Sequence, residues 1–213
     1  ENVLLSADTK ATIEACRKFG AIIEVNNSTV VVKESIKIGT KVPEINTENS
    51  GTIIRIAIGI ASLFSEKITL TGDSSIQKRP MKPLLDALTS IGAKCNSIDG
   101  KPPVSIKGVI VGGDVKIPGN LSSQFISSLL ISAPLTKNGI NLTIEGDLVS
   151  KPYLDATIAT MRKFGVSVQT LIPYKKYNIT PQIYKNTTFN VPIDFSSLAF
   201  DKANSFWETI SRL

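Results

Sequence analysis

The chain has 213 residues, 42% hydrophobic and 20% charged, with a formal net charge of +6, the composition of a folded globular protein and not of a disordered segment. It contains no histidine and only two cysteines, Cys16 and Cys95, which excludes Ser-His-Asp chemistry, histidine metal sites and a disulfide framework, and suits a reducing compartment. Lysines and arginines are scattered without a compact basic run or interleaved aromatics, so small phosphorylated molecules account for the charge with fewer assumptions than nucleic acid.

In chain order, Asp8 is predicted to cap a helix through Ile13, Ala15, Cys16 and Phe19, stopped by Gly20. Residues 21–25 and 29–32 read as strands joined by a turn at Asn26-Asn27. A polar approach over 43–52 leads to an apolar helix from Ile53 to about Phe64. A strand over 66–71 closes at Gly72-Asp73, a helix runs from Pro80 to the stop at Gly92, and strands follow near 94–97 and 104–107. The pattern then starts again: a strand over 114–117, a helix over 122–135, a strand over 140–145, a helix over 151–164, and strands over 166–171 and 177–180. No apolar run is long and uninterrupted enough to span a bilayer.

Individual residues confirm the repetition. Arg17-Lys18-Phe19-Gly20 recurs as Arg162-Lys163-Phe164-Gly165, Thr71-Gly72-Asp73 as Glu145-Gly146-Asp147, and Arg79-Pro80 returns 72 residues later as Lys151-Pro152. One βαβαββ unit is therefore used about two and a half times, with the front half of the first copy lacking. Three such units are expected to pack as a pseudo-threefold α/β (α+β) lobe, because the helices near Ile53–Leu63 and Phe125–Leu135 have almost no polar face and must be buried. Their N-termini should then share one end of the lobe.

Four helix starts carry the candidate chemistry, since a helix start offers unpaired N–H groups and the positive end of the dipole. The first is Asn49-Ser50-Gly51-Thr52, where Gly51 allows close approach to the backbone. Arg55, an odd charge in an apolar helix, either contacts a ligand or holds loop carbonyls or a carboxylate. The second is Lys78-Arg79-Pro80, with Pro80 at the first helical position and Arg79 able to pair bidentately with a phosphate or carboxylate; a solvated arginine is the alternative. In the third, Ser122-Ser123-Gln124, two hydroxyls and an amide suit a phosphorylated, hydroxyl-rich molecule, or else an ordinary serine cap. In the fourth, Ser150-Lys151-Pro152-Tyr153, Ser150 is expected as the cap and Tyr153 beside a ring.

Asn49-Ser50-Gly51-Thr52-Ile53-Ile54-Arg55, Arg79-Pro80 with Leu84-Leu85-Asp86-Ala87-Leu88, Ser122-Ser123-Gln124-Phe125 and Gly146-Asp147-Leu148-Val149-Ser150-Lys151-Pro152-Tyr153 together resemble the 5-enolpyruvylshikimate-3-phosphate synthases, the 3-phosphoshikimate 1-carboxyvinyltransferases of the shikimate pathway. The resemblance implies an inside-out α/β barrel lobe of the enolpyruvyl transferase type. It also implies an activity that moves the enolpyruvyl group of phosphoenolpyruvate to the 5-hydroxyl of shikimate 3-phosphate and releases phosphate. Ser122, Ser123, Gln124, Ser150 and Tyr153 would then hold shikimate 3-phosphate, and Gly51, Arg79, Gln124, Asn49 and Thr52 would hold or shape the site of phosphoenolpyruvate. No metal or cofactor is implied, and a cytoplasmic monomer is expected. The related UDP-N-acetylglucosamine enolpyruvyl transferases share the fold and the Arg-Pro start but lack the Ser-Ser-Gln and Ser-Lys-Pro-Tyr stretches; they and a non-catalytic anion-binding lobe are the alternatives.

The family's Lys-Ser segment ahead of its first helix has no counterpart after Glu1. Residues 1–193 are expected to form the first, substrate-binding lobe. Residues 194–213, beginning Asp194-Phe195-Ser196-Ser197-Leu198-Ala199-Phe200, are expected to lead toward a truncated or missing second lobe. No catalytic residue is then expected in this chain, because the resemblance puts the proton-moving carboxylates in that second lobe. The fragment alone is expected to be inactive.

Overall fold

In the computed structural model the described residues are 1–39, 42 and 44–191; the stretch expected to lead into a second lobe lies outside them. The first helix, α1 (Ala7–Lys18), begins at Ser6, not at Asp8. Ser6 has extended backbone and its Oγ accepts a hydrogen bond from the Thr9 N–H, whereas Asp8 lies inside the first turn, where a negative charge favours the dipole. Gly20 follows with φ +94° and turns the chain into the antiparallel hairpin β1 (Ile22–Asn26) and β2 (Thr29–Glu34).

The next two units have the same order of elements. One contains β3 (Ile45–Asn46), α2 (Gly51–Ala61), β4 (Ile68–Thr71), α3 (Lys82–Ser90), β5 (Lys94–Ile98) and β6 (Lys101–Lys107). The other contains β7 (Gly113–Pro118), α4 (Ser123–Ser132), β8 (Ile140–Glu145), α5 (Lys151–Lys163), β9 (Gln169–Ile172) and β10 (Lys176–Ile179). Their sheets run β3-β4-β6-β5 and β7-β8-β10-β9, with the first pair of each parallel and the rest antiparallel. Strand β3 was not visible in the polar approach; its one apolar residue, Ile45, is fully buried and pairs with Leu70.

Backbone hydrogen bonds close the ring of units. The Glu1 ammonium donates to the Phe189 carbonyl at 2.8 Å and the Val191 N–H donates to the Glu1 carbonyl at 3.1 Å. This is a parallel pairing like that of β7 with β8, and it sets the end of the third unit beside the start of the first. The Val3 N–H in turn donates to the Ser28 carbonyl at 2.7 Å, next to β2. The result is the expected α/β lobe of three related units.

Inside it, α2 and α4 lie side by side, parallel and in register. Gln124 meets Thr52, and Ser128 donates its hydroxyl to the Arg55 carbonyl at 2.7 Å; the partners are 72 and 73 residues apart, one repeat length. The close approach needs Gly59, because a Cβ there would meet the Ser128 carbonyl oxygen at 2.9 Å and crowd the Ser128 and Ser132 hydroxyls. Ile54, Ile58, Phe64, Leu84, Leu88 and Leu129 are fully buried in the same core, each worth about 1.5–3 kcal/mol of burial. The sequence repeat thus becomes a physical constraint: the starts of α2 and α4 share one end of the lobe.

Candidate functional site

At that end are two mouths with different chemistry. The first is the start of α2. Ser50 caps the helix, its Oγ accepting from the Ile53 N–H at 3.3 Å. Arg79 reaches this start by an unexpected route, because the helix predicted from Pro80 begins only at Lys82. The Met81 N–H is taken by the Gly100 carbonyl and the Met81 carbonyl receives the N–H groups of Leu84 and Leu85, so Pro83 is the proline of the first turn. Before it, residues 76–78 form a 3-10 turn. The turn is fastened by Asp73, whose carboxylate accepts from the Ser75 N–H and hydroxyl and the Ile76 N–H at 2.8–3.0 Å. The Ile76 backbone and Ser75 hydroxyl bonds hold the Asp73 carboxyl below its ordinary pKa. Arg79 follows in extended backbone, and its guanidinium lies against Gly51, where any Cβ would collide with Nη1.

Arg55 joins it. Its Nη1 donates to the Gly51 carbonyl at 3.1 Å and makes a short bond to Gln124 Oε1, and its guanidinium sits 5.3 Å from the Phe125 ring centroid. Arg55 thus holds the carbonyl of the first residue of its own helix and a side-chain amide, where the sequence suggested a loop carbonyl or a carboxylate. Its Nε is buried with no hydrogen-bond partner. Burial and then the neighbouring Arg79 lower its pKa, so a charge of the opposite sign between the two guanidinium groups would relieve both effects. Among the described residues no carboxylate forms a salt bridge with either arginine.

Gln124 links this mouth to the next. Arg55 has only donors to offer, so the amide oxygen must face it; the amide nitrogen then donates to Thr52 Oγ1 at 2.7 Å. One N–H of the amide is left over. Thr52 is exposed beside it, and Asn49 is exposed in the turn before the helix.

The second mouth lies between the starts of α4 and α5. Leu121, Ser122, Ser123, Gln124, Val149, Ser150 and Tyr153 line a pocket of about 240 Å³, which gathers every residue that the family resemblance assigned to the phosphorylated, hydroxyl-rich substrate. Ser122 caps α4 in extended backbone, its Oγ accepting from the Gln124 N–H at 3.3 Å. Ser150 stands at the cap position of α5 but does not cap it: it is left-handed (φ +57°) and its hydroxyl makes no capping bond. The predicted role fails because an N-cap must be extended for its oxygen to reach back into the first turn. The hydroxyl is left to the pocket instead. Tyr153 is 66% exposed at the rim. Lys151 does not line the pocket; its ammonium lies 5.1 Å from the centroid of the Tyr174 ring. With no acidic residue in the lining and the positive ends of two helices beside it, the pocket suits an anion with several hydroxyl groups.

Among the described residues no group of three His, Cys, Asp or Glu side chains could hold a metal, and no helix is long and apolar enough to cross a membrane.

Fold and site together define a lobe of repeated βαβαββ units with an arginine mouth and a hydroxyl mouth side by side. The family described as EPSP synthase (3-phosphoshikimate 1-carboxyvinyltransferase) matches residues 1–201, and the chain belongs to this family. A 3-phosphoshikimate 1-carboxyvinyltransferase of Nitrosopumilus maritimus (strain SCM1) is 77% identical over 199 residues, which are 93% of this chain and 47% of that protein. One from Methanocella arvoryzae is 44% identical over 205 residues, 94% of this chain and 48% of the relative. An EPSP synthase structure from Acinetobacter baumannii superposes with a TM-score of 0.78 at 29% identity, covering 92% of this chain and 44% of that one. The chain thus spans about half the length of the relatives it matches.

Proposed function

We propose that this chain is the substrate-binding lobe of an enzyme that transfers the enolpyruvyl group of phosphoenolpyruvate to the 5-hydroxyl of shikimate 3-phosphate, releasing phosphate on the way to chorismate and the aromatic amino acids. The observation that carries this reading is the pairing of an arginine mouth with a hydroxyl-lined pocket through one side chain, Gln124. The reaction joins two anions, one a small carboxylate-phosphate and the other a phosphorylated polyol, and the mouths differ in that sense.

In this reading Ser122, Ser123, Gln124 and Ser150 hold shikimate 3-phosphate, with Tyr153 along its ring. Arg79 holds phosphoenolpyruvate over Gly51, and Asn49 and Thr52 shape that side. The spare Gln124 N–H serves whichever ligand oxygen lies at the junction. The 5-hydroxyl oxygen bonds to C2 of phosphoenolpyruvate, giving up its proton, as C3 takes up a proton. The tetrahedral intermediate then loses phosphate from C2 and a proton from C3 to restore the double bond. Guanidinium groups fixed before the reaction stabilise the charge that moves between the substrates, and each charge-assisted bond contributes about 1.5–3 kcal/mol. Groups that move protons are not assigned to this chain; they belong to the rest of the polypeptide. Residues 1–193 act as one lobe of a cytoplasmic monomer that needs neither metal nor cofactor, and the lobe by itself is inactive.

The full-length polypeptide carrying this chain is expected to release phosphate from phosphoenolpyruvate only when shikimate 3-phosphate is present. Phosphate release that is independent of shikimate 3-phosphate, or supported by UDP-N-acetylglucosamine in its place, would overturn the reading.

A further inference from the structure

The pocket between α4 and α5 has one wall that no capping bond secures, the loop from Gly146 to Ser150. We propose that Lys175 and Tyr174, at the tip of the β9–β10 hairpin, are positioning residues that hold this wall and the start of α5 in the form that accepts shikimate 3-phosphate. This rests on the ligand assignment made above.

The contacts converge from one short turn. The Lys175 ammonium makes a short hydrogen bond to the Gly146 carbonyl and lies 3.6 Å from the Asp147 carboxylate. The Lys175 carbonyl accepts from the Ile144 N–H at 2.8 Å, which ties the tip to the end of β8. Tyr174 donates its hydroxyl to Asp155 Oδ2 at 3.0 Å, while its ring lies beneath the Lys151 ammonium. Lys151 and Asp155 are the first and fifth residues of α5, so the tip grips the loop and the helix it leads into. The other side of the loop is fixed to the residue that follows β7: the Gly119 N–H donates to the Glu145 carbonyl and the Val149 N–H to the Gly119 carbonyl. Ser150, between these anchors, is the left-handed residue whose hydroxyl is left to the pocket.

Tyr174 itself adopts φ +57°, a conformation that bulky side chains rarely take up and that persists only where the surroundings fix it. Its N–H is held by the Tyr177 hydroxyl at 2.8 Å, and Tyr177 is buried. The equivalent hairpin of the second unit reaches the start of α3 by backbone alone, through the Gly100 carbonyl and the Met81 N–H. Two residues with long polar side chains in place of that glycine are what the third unit adds.

The test is steady-state kinetics of the full-length polypeptide with Lys175→Met and with Tyr174→Asn, the second chosen because asparagine tolerates left-handed backbone. Each variant is expected to raise KM for shikimate 3-phosphate by about 2- to 150-fold, the range from one ordinary hydrogen bond to one with a charged group, while kcat and KM for phosphoenolpyruvate stay within about twofold. Lys175→Arg, which keeps a charged donor, is expected to restore most of the loss. The proposal is overturned if KM for shikimate 3-phosphate does not move, or if both KM values and kcat worsen together as the melting temperature falls. Should the two variants not fold, Tyr174→Phe and Lys175→Gln decide by the same split. A wild-type polypeptide with no dependence on shikimate 3-phosphate would instead remove the ligand assignment beneath the proposal, a result that cannot be confused with the absence of the split.

Discussion

The α2 mouth and the α4–α5 mouth start from the same supersecondary unit and end with opposite kinds of polar surface. In the second unit the outer-helix segment is unwound by a 3-10 turn that Asp73 fastens, and this delivers Arg79 across to Gly51. In the third unit the corresponding Lys151-Pro152 is already helical, so the lysine is directed to Tyr174 and the pocket keeps hydroxyls, the Gln124 amide and helix N-termini, with no charged side chain in its lining. A one-turn difference in where the outer helix begins separates a site of fixed positive charge from one of neutral donors. The lesson is that a repeated backbone sets where ligands can sit, and the local start of each outer helix sets which ligand it is.

Four substitutions probe this contrast in the full-length polypeptide. Arg79→Ala is expected to have the largest effect, weakening phosphoenolpyruvate by about 10- to 150-fold, the equivalent of one charge-assisted bond. Initial-rate kinetics should show shikimate 3-phosphate unaffected. Gly59→Val breaks the comparison from the other side: it wedges apart α2 and α4, so calorimetry should record a loss of about 1–3 kcal/mol and both ligands should weaken together. Gly51→Ala leaves the helix intact but pushes the Arg79 guanidinium aside, with Arg55 Nη1 at 3.2 Å from the new carbon leaving it little room. The expected rise in KM for phosphoenolpyruvate is about tenfold, within the range of one displaced charge-assisted bond.

Asp73→Asn should have the smallest effect, a few-fold on phosphoenolpyruvate alone, because it loosens only the turn that carries Arg79. It also carries a pH signature. Because the folded carboxyl titrates below its ordinary value, its contribution to stability is present above the unfolded pKa of about 3.9 and is lost as pH falls through the lower folded value. Urea melts across the acid range should show wild type and variant converging there and diverging toward neutral pH.

Much of this was legible in the sequence because the repeat wrote it twice. Arg17 to Gly20 and Arg162 to Gly165 mark equivalent helix ends, and the apolar faces of α2 and α4 could only be buried, which brings their serine-rich starts together. Ser122, Ser123 and Gln124 were readable for that reason, whereas Ser150 and Tyr153 were assigned to the same ligand through the family resemblance. What was not readable depends on contacts distant in sequence. Arg79-Pro80 looks like a helix start, and only the Gly100 carbonyl, which takes the Met81 N–H, shows why the helix waits until Lys82. Ser150 has the composition of a cap, but the loop pinned by Gly119 and Lys175 holds it left-handed. Arg55 stood out as a charge in an apolar helix; that it orients the Gln124 amide needed the register of α2 against α4. Tyr174 and Lys175 lie in what reads as an ordinary hairpin turn, and nothing local marks them.

The central claim is that the two mouths hold different anions, and calorimetric titration of shikimate 3-phosphate into three forms of the full-length polypeptide tests it most directly. Wild type and Arg79→Ala should bind with similar affinity, while Ser122→Ala combined with Ser123→Ala should abolish measurable binding. Equal loss in both variants, or binding untouched by the serine pair, would contradict the account.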